Sequence, residues 1–484
     1  MNYLDIAIII SFFTLTFLIG FTAKQKANTE SDYFLGGRNL PWWALSISLV
    51  ATETSTLTFL GIPALSYIGD YSFLSLVIGL VIGRSISAIF IIPKFMNGNY
   101  LSIYQWVGIK FGNESQITLS GLFSVIRILS DGVRLYAASI PLAYLLAIYF
   151  PNGYSFQTLS IISLVLLSIA TILYSAYGGF RAVVWTDLLQ FIVYLLGGIL
   201  VLILLWQEFG SLLSLFNDHP NRLMVFHKQA LSADGNLDPY FYIFSIPGGI
   251  LLALGSHGTD QMLVQRLLAC KNLKESQLAM VGSGVIVFFQ FLIFLMIGSY
   301  LYFALPNTNQ PNRVFSEFIV SKLSSPLKGL ILAGVFASSM STLSSTLNSL
   351  TLTTQVDMKL KFQSKYSPVW ITILWGLALL TSSLIPFFID EKTQASIVEL
   401  GLTFASYAFG PMVALFFLEI FPFPTRKKFN RFFFPIILIA SIVLTFSIKK
   451  YFSIPFTWIV GLGILLFYFN YYLSIITSKL FRKI

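Results

Sequence analysis

The sequence predicts an all-α protein that crosses a membrane about thirteen times, and three observations carry that prediction. Only 10% of the 484 residues are charged against 56% hydrophobic, and the mean hydropathy is +0.79; a soluble domain carries about 25% charged residues. Apolar stretches of membrane length recur along the whole chain. None reads as the alternating ten-residue strand of a membrane barrel. Backbone that crosses lipid must pair its own polar groups, which leaves helices.

In chain order, the apolar stretches are 4–21, 41–67, 72–93, 117–149, 157–177, 182–206, 241–263, 276–303, 326–357, 368–387, 394–419, 431–447 and 454–477. The first has no basic leader and no convincing cleavage site, so it is taken as a retained span rather than a signal peptide. Several exceed the roughly 20 residues needed to cross, which predicts tilt or protruding ends. The segment 207–240 is the longest polar connection and is rich in turn chemistry, as in Asn217–Pro220 and Ser232–Pro239. It is either an ordered cap or a mobile loop.

Charge orients the chain. With the N-terminus outside, the inner segments carry Lys24, Lys26 and Arg38; Lys94 and Lys110; Arg181; Arg266, Lys271 and Lys274; Lys359, Lys361 and Lys365; Arg426, Lys427, Lys428 and Arg431; and Lys479, Arg482 and Lys483. These are 19 of the 30 basic residues, so the positive-inside rule predicts N-out, C-in. The net charge of +10 is therefore a topology signal. Short basic clusters offer no nucleic-acid surface. One cysteine excludes an internal disulfide, and three histidines disfavour a multi-histidine metal centre.

Two stretches read as interrupted. Residues 51–58 (ATETSTLT) place Glu53 in mid-membrane among hydroxyl and β-branched residues, with Gly61 and Pro63 following. In the other half, Pro247-Gly-Gly249 and residues 255–260 (GSHGTD) interrupt 241–263. Broken helices at matching positions of two halves point to a transporter of inverted repeats, here 41–206 and 241–419, with flanking helices at 4–21, 431–447 and 454–477. A third signal is polar: residues 337–349 (ASSMSTLSSTLNS) fill a span with hydroxyls that need partners from outside their own helix. Ser338, Ser341, Thr342 and Ser345 share an arc of that helix and would suit a hard, largely dehydrated cation facing the unwound 51–58 segment. Asp187 adds a buried carboxylate suited to a second cation, a proton or a basic partner. Close packing through small residues is the competing explanation of the hydroxyl run.

At these residues the chain resembles the sodium/solute symporter family, whose members include sodium-coupled sugar, proline, pantothenate and sialic acid carriers. The likeness runs over nearly the whole chain. It is carried by residues 32–39 (DYFLGGRN), 51–61 (ATETSTLTFLG), 177–190 (YGGFRAVVWTDLLQ), 260–266 (DQMLVQR) and the hydroxyl run. The resemblance implies a five-plus-five inverted-repeat fold with sodium as the driving ion, one or two per cycle. It implies a first sodium site at the carbonyls of Ala51, Thr54 and Ser338 and the hydroxyls of Ser341 and Thr342. A second is implied at Asp187, Ser341, Ser344 and Ser345. It also implies substrate contacts at Ser55 and Thr58, and an arginine from the fourth span.

The solute cavity is expected between the broken spans and the third, fourth and eleventh, with Glu53, Ser55, Thr58, Phe73, Arg127, Arg134, His257, Asp260, Gln261, Phe404 and Tyr407 as lining residues. Asp131 stands i+4 from Arg127 and i−3 from Arg134 and satisfies one of them. One positive charge is then left over to attract an anion such as an acidic sugar. A neutral sugar over a structural Arg–Asp–Arg cluster is the alternative. No nucleophile–base arrangement or phosphate-binding loop appears, so an enzyme and an ATP-driven pump are disfavoured. A proton-coupled carrier titrating Asp187 or Glu53 is the nearer rival; a channel or a non-transporting sensor is remoter. The expected partners are a small solute and the lipid bilayer, in a multi-pass plasma-membrane setting of the bacterial inner-membrane kind, with no nucleic acid and no obligate protein partner.

Overall fold

The structure is a computed structural model that describes residues 2–23, 29–149, 153–217, 219–232, 235–306, 308, 311–360, 367–388, 397–420, 433–452 and 454–481. Lys24, Lys26, Lys361, Lys365, Arg426, Lys427, Lys428, Arg431, Arg482 and Lys483 from the charge tally lie outside the described residues, as does the Phe404 side chain. Every apolar stretch read from the sequence is helical within these limits, and the only β pairing among the described residues is two isolated bridges. Among the described residues, eight helices are long and apolar enough to cross a membrane, and one bent pair makes a ninth.

After α1 (Tyr3–Thr22) and the short α2 (Glu30–Leu35), the chain forms α3 (Trp42–Glu53) and α4 (Thr56–Ile68). These two form the bent pair, Trp42–Glu53 and Thr58–Ile68 lying at 64° to each other, with Thr54 and Ser55 outside both helices. Then come α5 (Phe73–Phe90), α6 (Ile92–Met96), α7 (Ile103–Phe111) and the 37-residue α8 (Asn113–Tyr149). α8 carries Arg127, Asp131 and Arg134, too many charges for a purely apolar span. α9 (Phe156–Phe209) runs 54 residues but is two helices meeting at Gly179, where φ is 64°. A side chain is strained at that angle, which explains the second glycine of the YGGF stretch.

The second half contains α10 (Leu212–Leu215), α11 (Tyr242–Gly258) and α12 (Gln261–Leu268), with the second break at Thr259–Asp260. It continues through α13 (Leu273–Ala304), α14 (Val314–Ser321), α15 (Leu327–Leu352) and a π-helical turn Thr353–Asp357. α16 (Ser367–Ser383), α17 (Ile397–Ile420), α18 (Phe434–Phe452) and α19 (Ile459–Phe481) complete the chain. α5 and α11 approach closely: a Cβ on Gly79 or Gly249 would strike the backbone of the other helix.

Burial decides which helix is central. In α15, 94% of the most apolar window is buried, against 22% in α1 and 28% in α16 and α18. The hydroxyl-rich helix is therefore enclosed on all sides, against α1, α3, α8, α9 and α16.

The connection between α10 and α11 is an ordered cap over part of its length. Arg222 donates to Ser66 O at 3.2 Å and Tyr67 O at 2.5 Å and lies over the Tyr302 ring at 3.8 Å. Tyr71 N–H donates to Met224 O at 3.0 Å. The His227 ring bridges Asp70 (2.6 Å) and Asp238 (2.5 Å) through its two nitrogens. Burial favours the neutral ring, but the two carboxylates outweigh it and hold the imidazole pKa above its ordinary value. Because the folded pKa is raised, the stabilisation is complete below the unfolded histidine value of about 6.5 and is lost as pH rises through the folded value. Proteolysis within 219–242 should accelerate by up to about fivefold across that rise, the size of a partly exposed ion pair. His227→Gln should remove the pH dependence.

Candidate ion and solute site

The break between α3 and α4 makes the first half of the site. Thr54 leaves the helical region at φ −80° and ψ 89°. The Ser55 N–H then donates to Glu53 O at 3.0 Å instead of reaching back to Ala51 O. A run of threonines, whose hydroxyls offer the backbone alternatives to helix, is the local cause.

α15 makes the second half. Thr342 Oγ1 donates to Thr52 O at 3.1 Å. Thr56 Oγ1 lies 3.3 Å from Ser338 Oγ, and Thr52 Oγ1 lies 2.9 Å from Ser345 Oγ. The unwound turn is thus laid along the face that carries Ser338, Thr342 and Ser345. Ala51, Thr54, Ser338, Ser341 and Thr342, the predicted ligands of a first sodium, are all buried on these two facing segments. The Thr54 hydroxyl is turned to α13, where it accepts from Gln290 at 2.8 Å.

Part of the run bonds to its own helix, as the packing explanation holds. Ser338, Ser344 and Ser349 donate to Val335 O, Ser341 O and Thr346 O. Ser341, Ser345, Thr346 and Asn348 instead meet side chains from other elements.

Asp187, fully buried in the second half of α9, accepts from Ser48 at 2.5 Å, Ser341 at 2.7 Å and Arg266 Nη2 at 3.0 Å. Arg266 also donates to Ser345 and, at 2.8 Å, to Ser48. Of the predicted second sodium site, Ser341 therefore reaches Asp187, Ser345 reaches Arg266, and Ser344 bonds back into its helix. A guanidinium already matches the carboxylate. Arg266 was counted among the inner-loop charges, but it is 1% exposed, because α12 carries the chain onward past the second break.

A cavity of about 100 Å³ opens beside the first break, and Glu53, Ser55, Thr58, Phe73, Arg127 and Arg134 of the predicted set line it. Phe409 of α17 and Ser256 of α11 also line it and were not foreseen. Glu53 is paired with Arg84 of α5, and the His257 Nε2 stands 3.7 Å away. Arg127 is paired with Asp260, which also caps α12 by accepting from Met262 N at 2.9 Å. Arg134 Nη1 donates to Asp131 Oδ1 at 2.9 Å. Gln261 is turned away, accepting from Ile103 N at 2.9 Å, and Tyr407 packs edge-on to Phe446.

The expectation of one leftover positive charge is corrected by these pairs. Among the described residues, Arg84, Arg127 and Arg134 meet Glu53, Asp260 and Asp131 one for one. What remains for an anion is donor capacity rather than net charge. The Arg134 side chain is 16% exposed against 5% for Arg127, and its Nε has no protein partner.

A family model described as the sodium:solute symporter family matches residues 33–430. The sodium/sialic acid symporter SiaT of Proteus mirabilis (strain HI4320) is 25% identical over 87% of this chain and 85% of its own length. The sodium-coupled monocarboxylate transporter 2 of Mus musculus is 27% identical over 84% of this chain and 65% of its own. Among solved structures, a Na+-coupled sialic acid symporter in a substrate-bound outward-open state aligns with a TM-score of 0.81 at 22% identity, covering 99% of this chain and 98% of that one. Mhp1, a nucleobase-cation-symport-1 family transporter in a closed conformation, aligns at 0.62 with 13% identity over 95% and 96% of the two chains. Both likenesses establish a shared helical fold.

Proposed function

The chain belongs to the sodium:solute symporter family, and from that premise we propose that it imports a small carboxylate-bearing solute, an acidic sugar of the sialic acid kind, driven by sodium across a plasma membrane it spans thirteen times, N-out and C-in. Two inverted repeats, 41–206 and 241–419, form the transport core, with 4–21, 431–447 and 454–477 flanking it. One sodium sits where the Ala51, Thr54 and Ser338 carbonyls face the Ser341 and Thr342 hydroxyls. A second, at Asp187, Ser341, Ser344 and Ser345, requires Arg266 to withdraw, so the proposed stoichiometry is one. Sodium fixes the unwound turn, and the adjacent cavity then takes the solute before the halves rearrange.

The observation that carries this reading is the break in α3–α4 lying on α15 immediately beside a cavity that the Arg134 side chain lines. The cavity is charge-balanced, so an anion entering with one sodium leaves it balanced, which burial favours. The named relatives carry sialic acid and monocarboxylates, both anions. A second reading, a short monocarboxylate, is favoured by size: 100 Å³ is room for about three waters at roughly 30 Å³ each, and a sialic acid needs the cavity to widen.

A panel of labelled solutes separates the two in proteoliposomes: sialic acid, a two- to four-carbon monocarboxylate and a neutral hexose. Sodium-dependent uptake of sialic acid supports the first reading, and uptake of the short acid alone supports the second. Uptake of the hexose alone overturns both.

A further inference from the structure

Asp131 is buried on α8 with both oxygens engaged. Its Oδ1 accepts from Arg134 Nη1 at 2.9 Å, and its Oδ2 accepts from Thr346 Oγ1 at 2.5 Å. Asp131 and Thr346 are both fully buried. Arg127 Nη1 stands 3.8 Å from the same Oδ2 but is committed to Asp260.

Thr346 lies one helical turn beyond Thr342 on α15, so the two hydroxyls share a face. One bonds the unwound turn at Thr52 O and the other bonds Asp131. A continuous chain of contacts therefore runs from the ion-facing turn of α15 through Thr346 and Asp131 to the Arg134 guanidinium.

We propose that Thr346 and Asp131 are positioning residues that couple the sodium and solute sites, by holding the Arg134 fork aimed into the cavity whenever the Ser338–Thr342 turn of α15 is ordered by the ion. This rests on the function proposed above. A carboxylate held at one oxygen rotates about its bond to the chain; held at both, it does not. The two bonds fix the plane of Asp131 and so the orientation of the Arg134 guanidinium that it holds at the cavity wall. Without the Thr346 hydroxyl, Oδ2 keeps only the distant and committed Arg127, and Arg134 must be ordered by the solute itself. That ordering weakens binding without removing a contact to either ligand. Coupling between two sites is reciprocal, so the same loss must appear in the effect of solute on sodium affinity.

The test is calorimetric titration of the purified full chain with sialic acid at low and saturating sodium, choline replacing sodium, repeated with a short monocarboxylate. Thr346→Val keeps the shape of the side chain and removes the donor; Thr346→Ser keeps the donor. The expected result is that the factor by which sodium tightens solute binding falls about tenfold in Thr346→Val, within the usual span of coupling between sites. Sodium affinity without solute should stay within about twofold of native, and Thr346→Ser should restore the factor. A native factor in Thr346→Val, or an equal loss in Thr346→Ser, overturns the proposal. If Thr346→Val does not fold, Thr346→Ala against Thr346→Ser makes the same comparison. Native protein that binds neither probe in a sodium-dependent way refutes the underlying function instead.

Discussion

Arg134→Ala is expected to reduce sodium-driven carboxylate uptake by about 10- to 100-fold, the equivalent of roughly 1.5–3 kcal/mol for a charge-assisted contact, while the protein still folds. Arg134 lines the cavity with its side chain 16% exposed, and its one ion pair among the described residues is to Asp131, which keeps Thr346 when the arginine is removed. Arg134→Lys should rescue little, since an ammonium cannot reproduce a guanidinium fork. Arg127→Ala makes the contrast. It strands Asp260, 2% exposed, and takes a second cation from Asp131. Breaking a buried pair in this way costs about 3–5 kcal/mol. Arg127→Ala should therefore lower yield and thermal midpoint, whereas Arg134→Ala should lower uptake in well-folded protein. Size-exclusion profiles beside uptake rates separate the two, and full uptake in folded Arg134→Ala removes the anion argument.

Ser341→Ala combined with Thr342→Ala is expected to raise the sodium concentration for half-maximal uptake by roughly 100-fold. Two of the five proposed oxygen ligands are lost, and each contact to a charged group is worth about 1.5–3 kcal/mol, or tenfold and more. Both hydroxyls are buried where α15 faces the break, Thr342 on Thr52 O and Ser341 on Asp187. Asp187 keeps Ser48 and Arg266 in the double variant, so the loss falls on the ion site rather than on that carboxylate. Sodium dependence identical to native would overturn the assignment.

The local features of this fold were legible in the sequence because membrane helices must satisfy their backbone within the segment. Apolar length gave the helices, and the two interruptions gave the breaks at Thr54–Ser55 and Thr259–Asp260. The facing of residues 51–54 and 338–342 followed from the family resemblance, and the hydrogen bonds across the break agree with it. The charge pairing was not legible, because its partners are distant in sequence. Arg84 meets Glu53 across 31 positions, Arg266 meets Asp187 across 79, and Arg127 meets Asp260 across 133. Local spacing offered only Asp131 to the two arginines of α8, which left one charge too many. The burial of Arg266 was missed for a related reason: the apolar stretch ends at 263, and the helix after the break goes on to Leu268. His227 carried no signal either, since its two carboxylates come from 11 and 157 positions away.

That sodium bound across the α3–α4 break drives accumulation of the solute is the proposal on which the others depend. It is tested most directly by uptake of labelled sialic acid and a short monocarboxylate into proteoliposomes under an inward sodium gradient, under a pH gradient alone, and under neither. The prediction is accumulation above the medium concentration only with the sodium gradient, steepened by an inside-negative potential worth about 2.3 kcal/mol per charge per 100 mV. Accumulation driven by the pH gradient without sodium would contradict it.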